Sequence, residues 1–163
     1  MSVTLPNATK ANNYTTATVD TLIGGAAVDT VLVTDGIANA SIDLLAGSDK
    51  LTLSDSDNSA TISNVETIIG GAGGDTLTIG AAFSKGTINL GGGADSLTMG
   101  NFTNTLTATG VETLIGGTGT DTVSLGSALE ATSSIDLGAG KDKLTLGAFA
   151  NTGTISNVET LIG

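Results

Sequence analysis

Apolar and polar residues alternate along this chain in short runs that are separated by glycine-rich turns. In the stretch 120–126, Val123 and Leu125 alternate with Thr122 and Ser124. A period of two residues is typical of a β-strand that buries one face and exposes the other. The runs are rich in Leu, Ile, Val and Thr, which favour strands, and the turns hold many of the 24 glycines. We therefore expect an all-β protein.

The pattern repeats along the chain. Each copy opens on an acidic residue followed by T-L-I or T-I-I, and the four opening residues, at spacings of 46, 46 and 47, are Asp20, Glu66, Glu112 and Glu159. Repeats of this length indicate a solenoid, a propeller or an array. We expect a single domain over residues 1–163, with repeat units at about 19–64, 65–110 and 111–157 and partial repeats at both ends.

Alignment of the turns divides each unit into two coils. Counting from the turn aspartates places apolar residues opposite apolar residues in successive coils, with Leu114 opposite Ile135, Val123 opposite Leu144, and Leu125 opposite Leu146. This register predicts a right-handed parallel β-solenoid, similar to a β-roll, with about three 46-residue super-repeats of two coils each. The extended segments 61–65 and 105–111 leave both a two-sided roll and a three-sided prism open.

The interior of such a rod is narrow, which suits a chain with three Phe, one Tyr and no Trp. Ile37, Phe83 and Leu129 recur every 46 residues, and we expect them to plug the corners from inside. Phe102 and Phe149 are also expected to pack in the core.

Composition excludes several classes of function. The chain has sixteen acidic residues, five lysines and no arginine, so its negatively charged surface would repel nucleic acid and anionic lipid. There is no Cys or His, so any bound metal must be a hard cation held by oxygen. No apolar run is long enough to span a membrane. The acid–base groups of a solenoid enzyme are also missing, so we expect no enzymatic activity and no small-molecule substrate.

Six glycine-rich turns end in aspartate, and two of them are nearly ideal. The segments GGAGGDTLT at 70–78 and GGTGTDTVS at 116–124 fit the nonapeptide G-G-x-G-x-D-x-U-x, in which U is a large apolar residue. Calcium prefers six to eight oxygens from carboxylates, carbonyls and water, and a glycine turn can direct several carbonyls into a small volume. One turn cannot complete such a shell, but two stacked turns can.

These turns resemble those of the repeats-in-toxin (RTX) β-roll, and of bacterial surface-layer-type repeat proteins, over nearly the whole chain. The resemblance implies Ca²⁺ bound between successive coils, folding driven by that binding, and export by type I secretion. It makes Asp75 and Asp121 the main carboxylate ligands. The backbone carbonyls that it adds are those of Gly70, Ala72, Gly116 and Thr118.

The other four turns depart from that pattern. They read GGAAVD, LLAGSD, LGGGAD and LGAGKD, and they place four further candidate ligands, Asp29, Asp49, Asp95 and Asp142, in partly degenerate copies. Lys141 adds a positive charge beside Asp142, and we expect all six turns at one edge of the rod, whereas family β-rolls carry them at both. The alternative is that each aspartate caps its own backbone, as in Asx turns, without calcium.

Two other acidic features have simpler interpretations. The segment 55–59, DSDNS, resembles the start of an oxygen-rich metal loop, but without a suitably spaced glutamate it is better read as a solvated corner. Glu66 and Glu112 are expected to lie two coils apart in a solvated outer ladder.

Our leading hypothesis is a secreted or cell-surface structural solenoid that binds Ca²⁺, as part of an S-layer, adhesin or extracellular filament. Both termini fall within a coil, which predicts head-to-tail self-association or contact with neighbouring repeats of a longer chain. One alternative is a metal-free, self-assembling solenoid. Another is an ice- or surface-binding protein, whose hydroxyl ladder of Thr76, Thr78, Ser96 and Thr98 would be interrupted by Lys50 and Lys143.

Overall fold

The computed structural model describes residues 1–5 and 12–163, which form eighteen strands. The odd-numbered strands form sheet A: β1 Ser2–Thr4, β3 Thr21–Ile23, β5 Ala40–Asp43, β7 Ser59–Ser63, β9 Thr76–Ile79, β11 Ser96–Thr98, β13 Thr113–Ile115, β15 Ser134–Asp136 and β17 Thr154–Ser156. The even-numbered strands form sheet B: β2 Asn12–Thr16, β4 Asp29–Val33, β6 Lys50–Thr52, β8 Thr67–Gly71, β10 Ser84–Gly91, β12 Thr105–Thr109, β14 Thr122–Leu125, β16 Lys143–Thr145 and β18 Thr160–Ile162. Within the described residues there is no helix, and hence none that could span a membrane.

Each sheet contains nine parallel strands in chain order, so every coil gives one strand to sheet A and one to sheet B. The expected all-β parallel solenoid is therefore confirmed. The roll is two-sided. The segments that had left three sides open contain β7 and β12, which are ordinary strands of sheet A and sheet B.

The coils are shorter than the sequence alignment suggested. Partners in adjacent coils are 17 residues apart at Asn12 and Asp29, and 20 apart at Thr30 and Lys50. Asp29 opens β4, a strand of sheet B. Asp75 lies 46 residues further along the chain, one super-repeat later, and precedes β9, a strand of sheet A. Five strands, or two and a half coils, thus make one super-repeat. The expected two coils per super-repeat is wrong, because turns without a glycine-aspartate motif also reverse the chain.

The core is a stack of aliphatic side chains between the two sheets. The registers of Leu114 with Ile135 and of Val123 with Leu144 are confirmed, and all four side chains are fully buried. The corner residues Ile37, Phe83 and Leu129 are also buried, as expected. Phe102 and Phe149 are not in the core: they lie in turns, 40% and 51% exposed.

Candidate cation site at the stacked turns

The aspartates are divided between two edges of the roll. We call edge 1 the set of turns that lead from a strand of sheet A to the next strand of sheet B, and edge 2 the set that leads from sheet B to sheet A. Asp75 and Asp95 lie at edge 2, and Asp29, Asp49, Asp121 and Asp142 lie at edge 1. The expectation of one shared edge is wrong. Because a super-repeat spans two and a half coils, successive copies place their turns on opposite edges.

Side chains at edge 2 are joined into a ladder that reaches back one coil at each step. Asp75 Oδ1 accepts hydrogen bonds from the backbone N–H of Asn58 at 3.0 Å and from its side-chain Nδ2 at 2.9 Å. Asp95 Oδ1 accepts the backbone N–H of Asp75 at 2.7 Å. Glu112 Oε2 accepts the backbone N–H of Asp95 at 2.8 Å. We call this arrangement an Asn-Asp-Asp-Glu ladder.

The same bonds recur at edge 1. In one ladder, Asp121 Oδ1 accepts the N–H of Asn104 at 3.0 Å, Asp142 Oδ1 that of Asp121 at 2.7 Å, and Glu159 Oε2 that of Asp142 at 2.6 Å. In another, Asp49 Oδ1 accepts the N–H of Asp29 at 2.6 Å, and Glu66 Oε2 that of Asp49 at 2.7 Å. Five aspartates therefore cap the preceding coil: Asp49, Asp75, Asp95, Asp121 and Asp142. Asp29 accepts the N–H of Gly25 in its own turn, as the alternative of a local aspartate cap expected.

The glutamates have a different role from the one expected. Glu66 lies at edge 1 and Glu112 at edge 2, both half-buried, so they do not form one outer ladder. Each closes a ladder by accepting a backbone N–H from an aspartate one coil earlier. A spacing of 17 residues from the aspartate is the sequence signal that marks this partnership.

The sequence analysis places Asn58 in a solvated corner and does not single out Asn104, but both residues belong to the site. Both are buried. The Nδ2 group of Asn58 donates to the carbonyls of Ser54 and Ser56 in its own turn as well as to Asp75, and its Oδ1 accepts the N–H of Ile37. Recurrence of asparagine at an interval of 46, each 17 residues before an aspartate, would have revealed them. Asp55 and Asp57 of the same turn are exposed, in agreement with a solvated corner.

The ladder aspartates are almost completely buried, with side chains 0–1% exposed. In the described part of the chain, the Oδ2 atoms of five of them have no hydrogen-bond partner: Asp49, Asp75, Asp95, Asp121 and Asp142. Asp29 differs, because its Oδ2 accepts the N–H of Gly25 at 2.8 Å. A buried polar atom without a partner is costly, and it marks a place for a proton, a water molecule or a cation.

Burial raises the pKa of four of these carboxyl groups, those of Asp49, Asp75, Asp95 and Asp121. For Asp75, hydrogen bonds from Asn58 oppose the rise in pKa. For Asp95, burial raises the pKa to about 6; the N–H of Asp75 opposes that rise, and the negative charges of Asp75 and Glu112 add to it. The ladders therefore hold negative charge poorly unless a positive charge accompanies it.

The first glycine of each intact turn lies against the neighbouring coil. A Cβ atom at Gly70 would collide with Asp75 Oδ2 and the backbone of Leu90, and one at Gly116 would collide with the backbone of Leu137. Gly70 and Gly116 are buried, whereas Ala72 and Thr118 are exposed. Of the four carbonyl residues that the family resemblance implied, the structure thus places Gly70 beside the unpartnered oxygen of Asp75.

The donor chemistry of the ladders fits a hard cation, since unpartnered carboxylate oxygens and glycine backbone lie together. Nowhere within residues 1–5 and 12–163 do three or more acidic side chains converge on one metal position. A complete calcium shell would therefore need backbone carbonyls or water. The exposed Lys141 makes the turn before Asp142 the least suitable.

Comparison with protein families, with curated proteins and with solved structures finds no match to this chain. Its function must be argued from its own ladders and surfaces.

Proposed function

We propose that this protein is a non-enzymatic structural β-solenoid of the bacterial cell exterior that binds Ca²⁺ in its Asn-Asp-Asp-Glu ladders. It would serve as part of an S-layer, an adhesin or an extracellular filament. Export, by type I secretion, is proposed on the resemblance of the turns to repeats-in-toxin sequences. The net charge of −11 suits a cation-rich exterior.

One observation carries the calcium proposal: five buried Oδ2 atoms have no partner in the described residues. A bound Ca²⁺ supplies positive charge and accepts oxygen lone pairs. Asp75 with Asp95, and Asp121 with Asp142, are adjacent rungs that would hold it, and carbonyls such as that of Gly70 would contribute. Asp29 and Asp49 form the corresponding pair in the first ladder. Extracellular modules bind calcium with dissociation constants of about 10⁻⁴ to 10⁻³ M, so modest affinity suffices outside the cell.

The fold supports a scaffold role. Strands of both sheets pair in parallel register from coil to coil, so any coil offers the backbone template for the next. A neighbouring repeat of a longer chain, or a second copy placed head to tail, would extend the rod. Light scattering with electron microscopy separates fibres from monomers, and a strictly monomeric species at high concentration would contradict self-assembly.

Calorimetry and circular dichroism during calcium titration test the cation proposal. We expect bound Ca²⁺, a rise in melting temperature, and reversal by chelator. Asp95→Asn keeps the Oδ1 acceptor and removes the charge. It should weaken calcium binding and yet raise the melting temperature of the calcium-free protein at pH 7. Asp55→Asn, in an exposed turn at the same edge, is the control and should change neither.

A metal-free structural solenoid is the second candidate. It is favoured because each ladder carboxylate already accepts a backbone N–H, so the ladder closes without an ion. The same titration decides between the two. A protein that binds no ion by calorimetry, and whose β-spectrum and melting temperature ignore chelator, is the metal-free solenoid.

A further inference from the structure

The outward face of sheet A carries two parallel rows of hydroxyl side chains. One row runs through six neighbouring strands, as Ser59, Thr76, Ser96, Thr113, Ser134 and Thr154. The second row runs beside it, as Ser41, Thr61, Thr78 and Thr98, and continues beyond Thr98 through the exposed Ile115 to Asp136. The ten hydroxyl side chains of the two rows point out of the roll and are exposed or half-exposed.

The rows form a two-dimensional lattice. Adjacent strands lie about 4.8 Å apart, and alternate residues on one strand lie roughly 6.6 Å apart. Register is continuous across the described strands of sheet A, whereas sheet B has a register shift between Ser84 and Gly86. Because backbone hydrogen bonds hold every strand in register, the hydroxyl groups already form a regular array in the unbound protein.

The lattice is uncharged in a strongly acidic protein. In the described part of the chain, Lys50, Lys85 and Lys143 lie on strands of sheet B, and Lys141 lies in a turn at edge 1. The sequence-based expectation that lysines interrupt the ladder of Thr76, Thr78, Ser96 and Thr98 is wrong, because those lysines are on the opposite face. The described strands of sheet A therefore carry no lysine.

This difference does not follow from the repeat. Lys50, Ser96 and Lys143 occupy the same repeat position, 46 and 47 residues apart, and only Ser96 lies on sheet A. The carboxylates on strands of sheet A accept hydrogen bonds from asparagine side chains. Asp43 accepts one from Asn64, and Asp136 accepts one from Asn157. The lysines of the described strands thus lie on sheet B, and the two carboxylates on sheet A strands, Asp43 and Asp136, lie outside β7, β9 and β11.

We propose that the hydroxyl lattice of sheet A, centred on β7, β9 and β11, is a binding surface for ice. Its Ser and Thr hydroxyl groups donate and accept hydrogen bonds to an ordered array of water, and the Thr methyl groups pack between them. An uncharged periodic face complements an uncharged periodic solid. A crystalline polysaccharide fits less well, because none of the described strands of sheet A carries an aromatic ring on which a sugar could stack.

The test compares the two faces at matched repeat positions. Thr76→Lys with Thr98→Lys places two charges in the lattice, and Thr122→Lys with Thr145→Lys places them at the equivalent positions of sheet B. At millimolar concentration in calcium buffer, the unaltered protein should shape ice crystals and depress their growth temperature. The sheet A variant should lose both effects, and the sheet B variant should keep them. Circular dichroism melts confirm that both variants fold.

Three results would overturn the proposal. The first is unaltered ice-crystal growth with the unsubstituted, folded protein. The second is an equal loss of activity in the two variants. The third is retention on crystalline cellulose without any effect on ice, which would assign the face to a polysaccharide. None of these outcomes depends on whether the ladders bind calcium.

Discussion

The turns that end in Asp75 and Asp95 are neighbours in one ladder, and their sequences are unequal. GGAGGD matches the calcium-binding pattern, whereas LGGGAD lacks its first glycine. In the structure both aspartates are buried, and both use Oδ1 to accept a backbone N–H from the coil before. The two aspartates differ in the side chains that surround them. Asp75 receives two hydrogen bonds from Asn58, whereas Asp95 lies between two other carboxylates, Asp75 and Glu112.

Position in the ladder, more than the glycine content of the turn, therefore sets the chemistry of each aspartate. Hydrogen bonds from Asn58 oppose the rise in the pKa of Asp75 that burial causes, whereas the charges of Asp75 and Glu112 add to the rise in the pKa of Asp95. The following predictions test this view, from the largest expected effect to the smallest.

Removing the ladder bonds of Asp75 should be the most damaging change. Asp75→Ala leaves the buried N–H of Asn58 without its acceptor, and we expect a loss of about 2 to 4 kcal/mol in the free energy of unfolding. Asp75→Asn retains the Oδ1 acceptor and should lose less than about 1 kcal/mol. Urea denaturation measures both. Equal losses would mean that the charge, and not the acceptor, stabilises this rung.

Two glycines in the same turns should respond in opposite ways. A Cβ atom at Gly73 would collide with the backbone of Ser56, whereas one at Gly92 meets nothing within 4 Å. We expect Gly73→Ala to cost about 1 to 3 kcal/mol and Gly92→Ala to change stability by less than about 1 kcal/mol, or to stabilise. Thermal melts of the pair are the measurement. A destabilised Gly92→Ala variant would show that the degenerate turn is as tightly packed as the intact one.

The calcium-free protein should lose stability as the pH rises from about 4 to about 6. The pKa of Asp95 is about 6 in the folded protein, above its value of about 3.9 in an unfolded chain. A raised pKa gives stability that is fully present below the unfolded pKa and is lost as the pH passes the folded one. Chelator-treated protein should thus melt higher at pH 4 than at pH 7. Calcium should reduce this difference, and a melting temperature that rises with pH in chelator would contradict the buried-carboxylate account.

The smallest effect is expected from the glutamate that closes the ladder. Glu112→Gln keeps an oxygen acceptor for the N–H of Asp95 and removes a like charge. It should stabilise the calcium-free protein at pH 7 by about 0.2 to 1 kcal/mol. It should also lower the pKa of Asp95, which carbon-detected NMR titration can follow. Glu130→Gln, at an exposed corner, is the control, and an equal gain there would reduce the effect to net charge.

Much of the fold was accessible from the sequence because two periods coincide. Alternation by two identifies the strands, and counting from the turn aspartates aligns Val123 with Leu144. Recurrence by 46 places Ile37 and Phe83 at equivalent corners. A strand register shifted by one residue would expose the core, so the apolar pattern alone fixes the pairing. These expectations are confirmed because they depend on burial.

The edges were harder to predict because hydrogen bonds across coils leave little trace in local sequence. Turns such as 53–58 and 64–66 contain no glycine, so the sequence pattern predicts them as parts of longer coils. Without these turns, the sequence predicts two coils per super-repeat, where the structure has two and a half. It also predicts Glu66 and Glu112 on one edge, where the structure places them on opposite edges. The sequence favours a solvated corner for Asn58 because a buried amide that donates to three acceptors resembles, in sequence, any corner asparagine.

The half-integral number of coils per super-repeat gives the rod an approximate twofold screw axis. Each 46-residue unit is related to the next by a half rotation about the rod and a rise of about 12 Å, which is two and a half strand spacings. Duplication of one unit therefore places the same surface residues on sheet A in one copy and on sheet B in the next. A property confined to one face, such as the absence of lysine from the described strands of sheet A, has a true period of two units and must be maintained by differences between consecutive copies.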